Sequence, residues 1–218
     1  MNQIILIFLN LKIFAEQDVL DYCQINNINP DNIIELYLYD NKLTDISGIK
    51  LFKNLKILSI ANNKIKDISI IQYFKNLEEL YLNGNEIENI TVLKNLTNLK
   101  ILDISYNLIK DISDIKNSNM LFELNLNNNK LTDISDLKNM KKLNILDLSE
   151  NKIKDISVLK GFKNLRCLFL NENPITDISA VQYLKSLEIL TLYKVKLNEN
   201  QIKYIKKNKS IQSIGFRQ

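Results

Sequence analysis

The sequence predicts an α/β solenoid, with one curved parallel sheet on its concave side and short helical or 3-10 segments on its convex side. Three observations carry this expectation. Asparagine recurs every 22 residues, at Asn41, Asn63, Asn85, Asn107, Asn129, Asn151 and Asn173. Leu or Ile stands three and five places before each, as Leu102 and Ile104 stand before Asn107. Further apolar residues follow two and five places after, from Leu43 and Ile46 in the first unit to Ile175 and Ile178 in the last. Seven matches at one fixed period define stacked units, each unable to bury its apolar face alone.

Each part of the unit has a physical role. The Leu-x-Leu core reads as a short strand whose leucines point inward and whose intervening side chains point out of the concave face. The Asn enters the turn, where buried backbone groups have no helix or sheet partner. Asn also tolerates unusual backbone angles, which offsets the scarcity of turn formers, four Gly and two Pro in 218 residues. Asp45, Asp67, Asp111, Asp133, Asp155 and Asp177, with Asn89 in the remaining unit, open a recurring Asp-Ile-Ser. That tripeptide supplies turn and cap chemistry for the convex segment. Ser118 replaces the Phe, Leu or Met of equivalent positions (Phe52, Phe74, Leu96, Met140, Phe162, Leu184) and predicts looser packing there.

Both ends leave the period. Residues 1–32 read as an N-terminal capping unit, 33–194 as the regular repeats and 195–218 as a C-terminal capping unit, all in one domain. The first unit combines a strand around Leu6, Leu9 and Leu11 with a helix in FAEQDVLDYC. The last combines a helix in LNENQIKYIKKNKSI with a strand holding Ile211, Ile214 and Phe216. About ten strands then give an array of about 45 Å.

Composition narrows the function. A formal charge of +4, with lysines mixed among acids, gives no basic domain for nucleic acid. Cys23 and Cys167 are far apart and read as free thiols, and with no histidine there is no His metal ligand and no His-based triad. No metal or cofactor is expected. Asp103 and Asp147 lie two units apart, about 10 Å across the sheet. That exceeds the carboxylate spacing of glycosidases, and an open face would leave neither acid desolvated. Cys167 has no base to activate it. The chain therefore reads as no enzyme. The apolar run Ile4 to Leu9 has no preceding Lys or Arg and reads as a buried strand of a cytoplasmic protein; the alternative is a signal peptide over residues 1–15 and export. Asn89, Asn95 and Asn208 sit in sequons that matter only after export. No stretch reaches the length of a membrane helix.

The outward positions alternate with a second period of 44 residues. One row runs Glu35, Ile57, Glu79, Ile101, Glu123, Ile145, Cys167 and Ile189. The next runs Tyr37, Ser59, Tyr81, Asp103, Asn125, Asp147, Phe169 and Thr191. The third runs Tyr39, Ala61, Asn83, Ser105, Asn127, Ser149, Asn171 and Tyr193. Exposed Ile beside aromatic residues, with acids between, suits a protein partner. The candidate contact residues are Tyr37, Tyr39, Ile57, Tyr81, Ile101, Asp103, Asn125, Ile145, Asp147, Phe169 and Tyr193. Aromatic anchors would hold the two ends of a partner, with basic groups at Asp103 and Asp147. Lys42, Lys64, Lys66, Lys110, Lys130, Lys152 and Lys154 line a solvated edge. The expected protein is a monomeric protein-protein interaction module; the alternative is a structural or self-associating solenoid spacer.

The pattern NxIxDIxxLxxLxxLxxLxL, as in NKLTDISDLKNMKKLNILDL (129–148) and NPITDISAVQYLKSLEILTL (173–192), resembles the 22-residue class of leucine-rich repeats. The resemblance covers residues 33–192. Two groups share this unit. One is the internalin-like bacterial surface proteins, which bind host receptors through the concave face. The other is the cytoplasmic regulatory type, such as the phosphatase 1 regulatory subunit Sds22 and the dynein-associated leucine-rich light chain. The resemblance implies a concave binding face, which falls here on Tyr37, Tyr39, Tyr81, Asp103, Asp147, Phe169 and Tyr193.

Overall fold

A computed structural model describes residues 3–6, 16–207 and 210–215 of the chain. Leu9, Leu11, Phe216, Asn208 and most of the 1–15 segment fall outside the described residues. Among the described residues, ten parallel strands hydrogen-bond in chain order into one sheet. They are β1 (Gln3–Leu6), β2 (Ile33–Tyr37), β3 (Ile57–Ser59), β4 (Glu79–Tyr81), β5 (Ile101–Asp103), β6 (Glu123–Asn125), β7 (Ile145–Asp147), β8 (Cys167–Phe169), β9 (Ile189–Thr191) and β10 (Ser213–Gly215). Helix α1 (Glu16–Ile25) follows β1, and α2 (Glu199–Lys207) precedes β10.

Between β2 and β9 the register repeats without a slip, because the units are equal in length. Leu36, Leu58, Leu80, Leu102, Leu124, Leu146, Leu168 and Leu190 face one another in a continuous file, all with no exposed surface. Burying a leucine side chain contributes about 2 kcal/mol, so the file stabilises the stack only when neighbours are present. At the ends, α1 packs on the first convex segment with Val19 and Cys23 buried, and α2 buries Ile205.

The asparagine ladder joins adjacent units. Asn107 Oδ1 accepts the Ile87 N–H at 3.0 Å. Its amide donates to the carbonyls of Leu82 (3.0 Å), Ile104 (3.2 Å) and Ser105 (3.0 Å). Asn63, Asn85, Asn129, Asn151 and Asn173 repeat this arrangement, and each is buried. Asn41 differs: it is half-buried and donates to Tyr39 O at 2.7 Å.

The unusual backbone angle falls elsewhere than expected. The residue before each ladder position is left-handed: Asp40, Asn62, Gly84, Tyr106, Asn128, Glu150, Glu172 and Lys194 have φ between 50° and 68°. Only one of these is glycine and two are asparagine, so most turns hold a side chain in a strained region. The ladder Asn contributes hydrogen bonds, and its neighbour bears the strain.

The convex segments are 3-10 helices at Ser47–Leu51, Ser69–Tyr73, Thr91–Asn95, Ser113–Ile115, Ser135–Asn139, Ser157–Gly161 and Ser179–Tyr183. Each is opened by the recurring Asp, whose Oδ1 accepts the Ser N–H two residues on, at 2.9 Å for Asp45 and 2.7 Å for Asp155. Asn89 does the same for the Thr91 N–H at 2.8 Å. The Ser113 N–H, followed by its hydroxyl, holds Asp111 below the usual carboxylate range. In the Ser118 unit the 3-10 segment has three residues instead of five, and Ser118 itself is buried.

Candidate protein-interaction surface

Registered pairing turns the outward strand positions into continuous rows. On β3 to β7, Ile57, Glu79, Ile101, Glu123 and Ile145 lie side by side. In the next row Tyr81, Asp103, Asn125, Asp147 and Phe169 are adjacent, with Thr191 beyond. Tyr37 is separated from Tyr81 by Ser59, which is buried. Tyr39 lies just past β2 and Tyr193 just past β9, at opposite ends of the third row. All eleven predicted contact residues thus lie on the concave side. They form a strip, since β2 and β9 are seven strands or about 34 Å apart.

Glu35 and Glu79 belong to this surface as partners of the tyrosines. Tyr37 donates its hydroxyl to Glu35 at 3.0 Å, and Tyr81 to Glu79 at 2.8 Å. Residues two apart on a strand share a face, so Glu-x-Tyr was a readable signal for this contact. Burial, then the bond to Glu79, pushes the Tyr81 phenol up, which keeps it a neutral donor. Asp103 accepts the Ser105 N–H (2.9 Å) and hydroxyl (2.6 Å), and Asn125 donates to Asp103 at 3.2 Å. These bonds fix the polar side chains before a partner arrives.

Two sequence expectations are corrected here. Ser105 and Ser149 of the third row are buried, as are Ser59 and Ala61, because short side chains sink below their larger registered neighbours. The face is also less open than its strands suggest. Burial pushes the Asp147 carboxyl above the usual range, against the Ser149 and Asn127 hydrogen bonds that lower it. Burial also raises Glu123, with Asp103 and Glu79 adding like charge. None of the outward strand positions from β2 to β9 carries Lys or Arg. Burial raises the Cys167 thiol, opposing activation as a nucleophile.

The Asp147 shift has a testable sign. The folded chain holds this proton to higher pH than the unfolded chain does. Stability therefore falls as pH rises through that window, and the ionised group is a cost at neutral pH. Asn125 shows that an amide serves the same position, accepting the Asn127 N–H at 3.0 Å. Asp147→Asn is expected to raise the urea midpoint at pH 7. That advantage should shrink toward about pH 3.9, where the unfolded carboxylate is half-protonated. A gain independent of pH would assign the effect to packing instead.

Tyr193 closes the strip at its far end by lying over Gly215. A Cβ on that glycine would come within 2.8 Å of the ring. A Cβ there would push the exposed ring aside.

The curved sheet, the asparagine ladder and the 3-10 backs define a repeat scaffold with a continuous concave face. The chain belongs to the leucine-rich repeat family: the family described as Leucine Rich repeats (2 copies) matches residues 31–73, 75–117 and 120–161. That family is a non-catalytic scaffold. Among solved structures, the chain is similar to an internalin (inlF) from Listeria monocytogenes, at 34% identity and TM-score 0.80. The match covers 86% of this chain and 55% of that one, so this chain spans about half of inlF. It is also similar to internalin C2 (inlC2) of the same organism, at 26% identity and TM-score 0.82, covering 86% of this chain and 82% of that one. The fold, though no more, is shared with the functional domain of InlJ at 23% identity and TM-score 0.70, with 86% and 44% of the two chains covered. No curated protein matches the chain.

Proposed function

We propose that the chain is a protein-interaction module that binds one protein partner across its concave face. The observation that carries this reading is the registered strip of aromatic, Ile and acidic side chains, free of cations from β2 to β9. Tyr37, Tyr39 and Tyr81 anchor one end of the partner, and Phe169 and Tyr193 the other. Basic groups of the partner meet Asp103 and Asp147, while Ile57, Ile101 and Ile145 fill the space between. The terminal units 1–32 and 195–218 act as caps on regular repeats 33–194. Likeness to internalins supports the exported reading of residues 1–15 over the cytoplasmic one, and over a role like that of Sds22. Among the described residues no helix is long and apolar enough to cross a membrane. The partner is a protein, and nucleic acid is not expected.

Tyr37→Ala, Tyr81→Ala and Phe169→Ala combined are expected to weaken partner binding by at least about 100-fold, with the thermal midpoint changed little. Titration calorimetry on the partner, once captured, reads this directly. Undiminished affinity in the triple variant would remove the concave assignment. A second reading, a structural or self-associating spacer, is favoured by the continuous core and ten-strand sheet. Light scattering over a concentration series separates the two, since self-association raises the measured mass with concentration.

A further inference from the structure

The structure also holds a second ladder, along the edge where the chain enters the strands. Asn54 donates its amide to Asp31 O at 2.8 Å, Asn98 to Lys75 O at 3.0 Å and Asn164 to Lys141 O at 2.8 Å. Ser186 makes the same reach to Lys163 O at 2.8 Å. Beside it, two residues further along each unit, runs a row of polar residues that pair across units. Lys56 and Lys100 both reach Glu78, and Arg166 grips Glu188 through two bonds of 2.7 and 2.8 Å.

One unit departs at both positions. Met120 stands where Asn54, Asn76, Asn98 and Asn164 stand, and Phe122 stands where Lys56, Glu78, Lys100, Asn144, Arg166 and Glu188 stand. Both are solvent-facing, Met120 at 42% and Phe122 at 48% exposure. Six other regular units place a polar side chain at the Phe122 position and the first carries Ile34, which is half-buried; this unit places an aromatic ring in water. The stack gains nothing from that exchange, because Met120 cannot donate the inter-unit hydrogen bond and Phe122 cannot form the ion pair.

The surroundings carry a sign. A groove of about 310 Å3 abuts Met120, lined by Lys56, Asn76, Glu78, Asn98 and Lys100. On the other side Lys142 Nζ contacts Met120 Sδ at 3.1 Å. Three ammonium groups thus stand against the single carboxylate of Glu78, on the opposite sign from the concave face. Like charge around the patch also disfavours a second copy seated on it about a twofold axis.

The geometry points to Met120 and Phe122 as the anchor of a second docking site, on the sheet edge, for an acidic protein segment that carries an exposed apolar side chain. The apolar group covers the Met120–Phe122 pair, and flanking carboxylates meet Lys56, Lys100 and Lys142. This site lies outside the concave strip, so the chain can hold two partners, or two parts of one, at once.

The test uses the full chain and the variant Met120→Asn with Phe122→Asn, which installs residues that other units carry at both places, as at Asn98 and Asn144, and adds no charge. The probe is a fluorescein-labelled peptide Asp-Glu-Leu-Phe-Glu-Asp, read by fluorescence anisotropy. The native chain should bind it saturably and lose affinity as salt rises. The double variant should bind at least about tenfold more weakly. The Tyr37, Tyr81 and Phe169 variant should bind as the native chain does. Absence of binding to the native chain, or equal binding to the double variant, overturns the inference. Concentration-dependent dimerisation abolished by the double variant overturns the acidic occupant in favour of a second copy.

Discussion

Asn107→Ala is expected to lower the free energy of unfolding by about 3 kcal/mol. The side chain is 5% exposed and lies at the junction of two units. Its loss strands the Ile87 N–H, whose acceptor at 3.0 Å is the Asn107 oxygen. The carbonyls suffer less. Leu82 O keeps the amide of Asn85 at 3.0 Å, and Ile104 O keeps that of Asn129 at 2.9 Å. The cost is therefore one unsatisfied donor and a small void, short of four broken bonds. Asn41→Ala supplies the contrast. That rung is half-buried and makes one side-chain donation, to Tyr39 O. It should cost under about 1 kcal/mol. Urea unfolding of both variants checks the pair. Equal losses would show that the ladder contributes through composition of the turn and not through bonds between units.

Phe74→Ala is expected to cost about 4 kcal/mol, the middle of the range for a fully buried ring. Phe74 has no exposed surface and belongs to the convex file of Phe52, Leu96, Met140, Phe162 and Leu184. Each unit touches only its neighbours, so the remaining units have no route to close the space. Hydrogen exchange after the substitution should speed most at the amides of the flanking 3-10 segments, Ser69–Tyr73 and Thr91–Asn95. Uniform acceleration along the whole chain would instead indicate one cooperative unit. The file already has a natural interruption at Ser118, and the 3-10 segment preceding it is the short one.

Much of this architecture is legible in the sequence for a physical reason. Equal units force equal registers, so one period fixes the strands, the inward leucines and the Asn bonds together. Features outside the period resisted reading. The left-handed turn position is occupied by Asp, Asn, Gly, Tyr, Glu and Lys, which share no chemistry that would mark it. The depth of Asp147 and of Ser105 depends on the size of neighbours 22 residues away, which strand alternation alone does not weigh. The Glu-Tyr pairs and the second ladder were written in the sequence as recurring spacings. Their meaning needed the stacking of units to bring each donor beside a backbone 23 residues earlier.

The alternation of Glu and Ile along the first concave row limits how such an array can change length. In the present order Glu79 and Glu123 are each flanked by isoleucines on the adjoining strands. Excising the single 22-residue unit that contains β5 would set Glu79 directly against Glu123, two like charges about 4.8 Å apart between strands. Excising 44 residues would leave each Glu still bordered by isoleucine. Loss of one Ile-type unit therefore carries a like-charge penalty that loss of two units avoids.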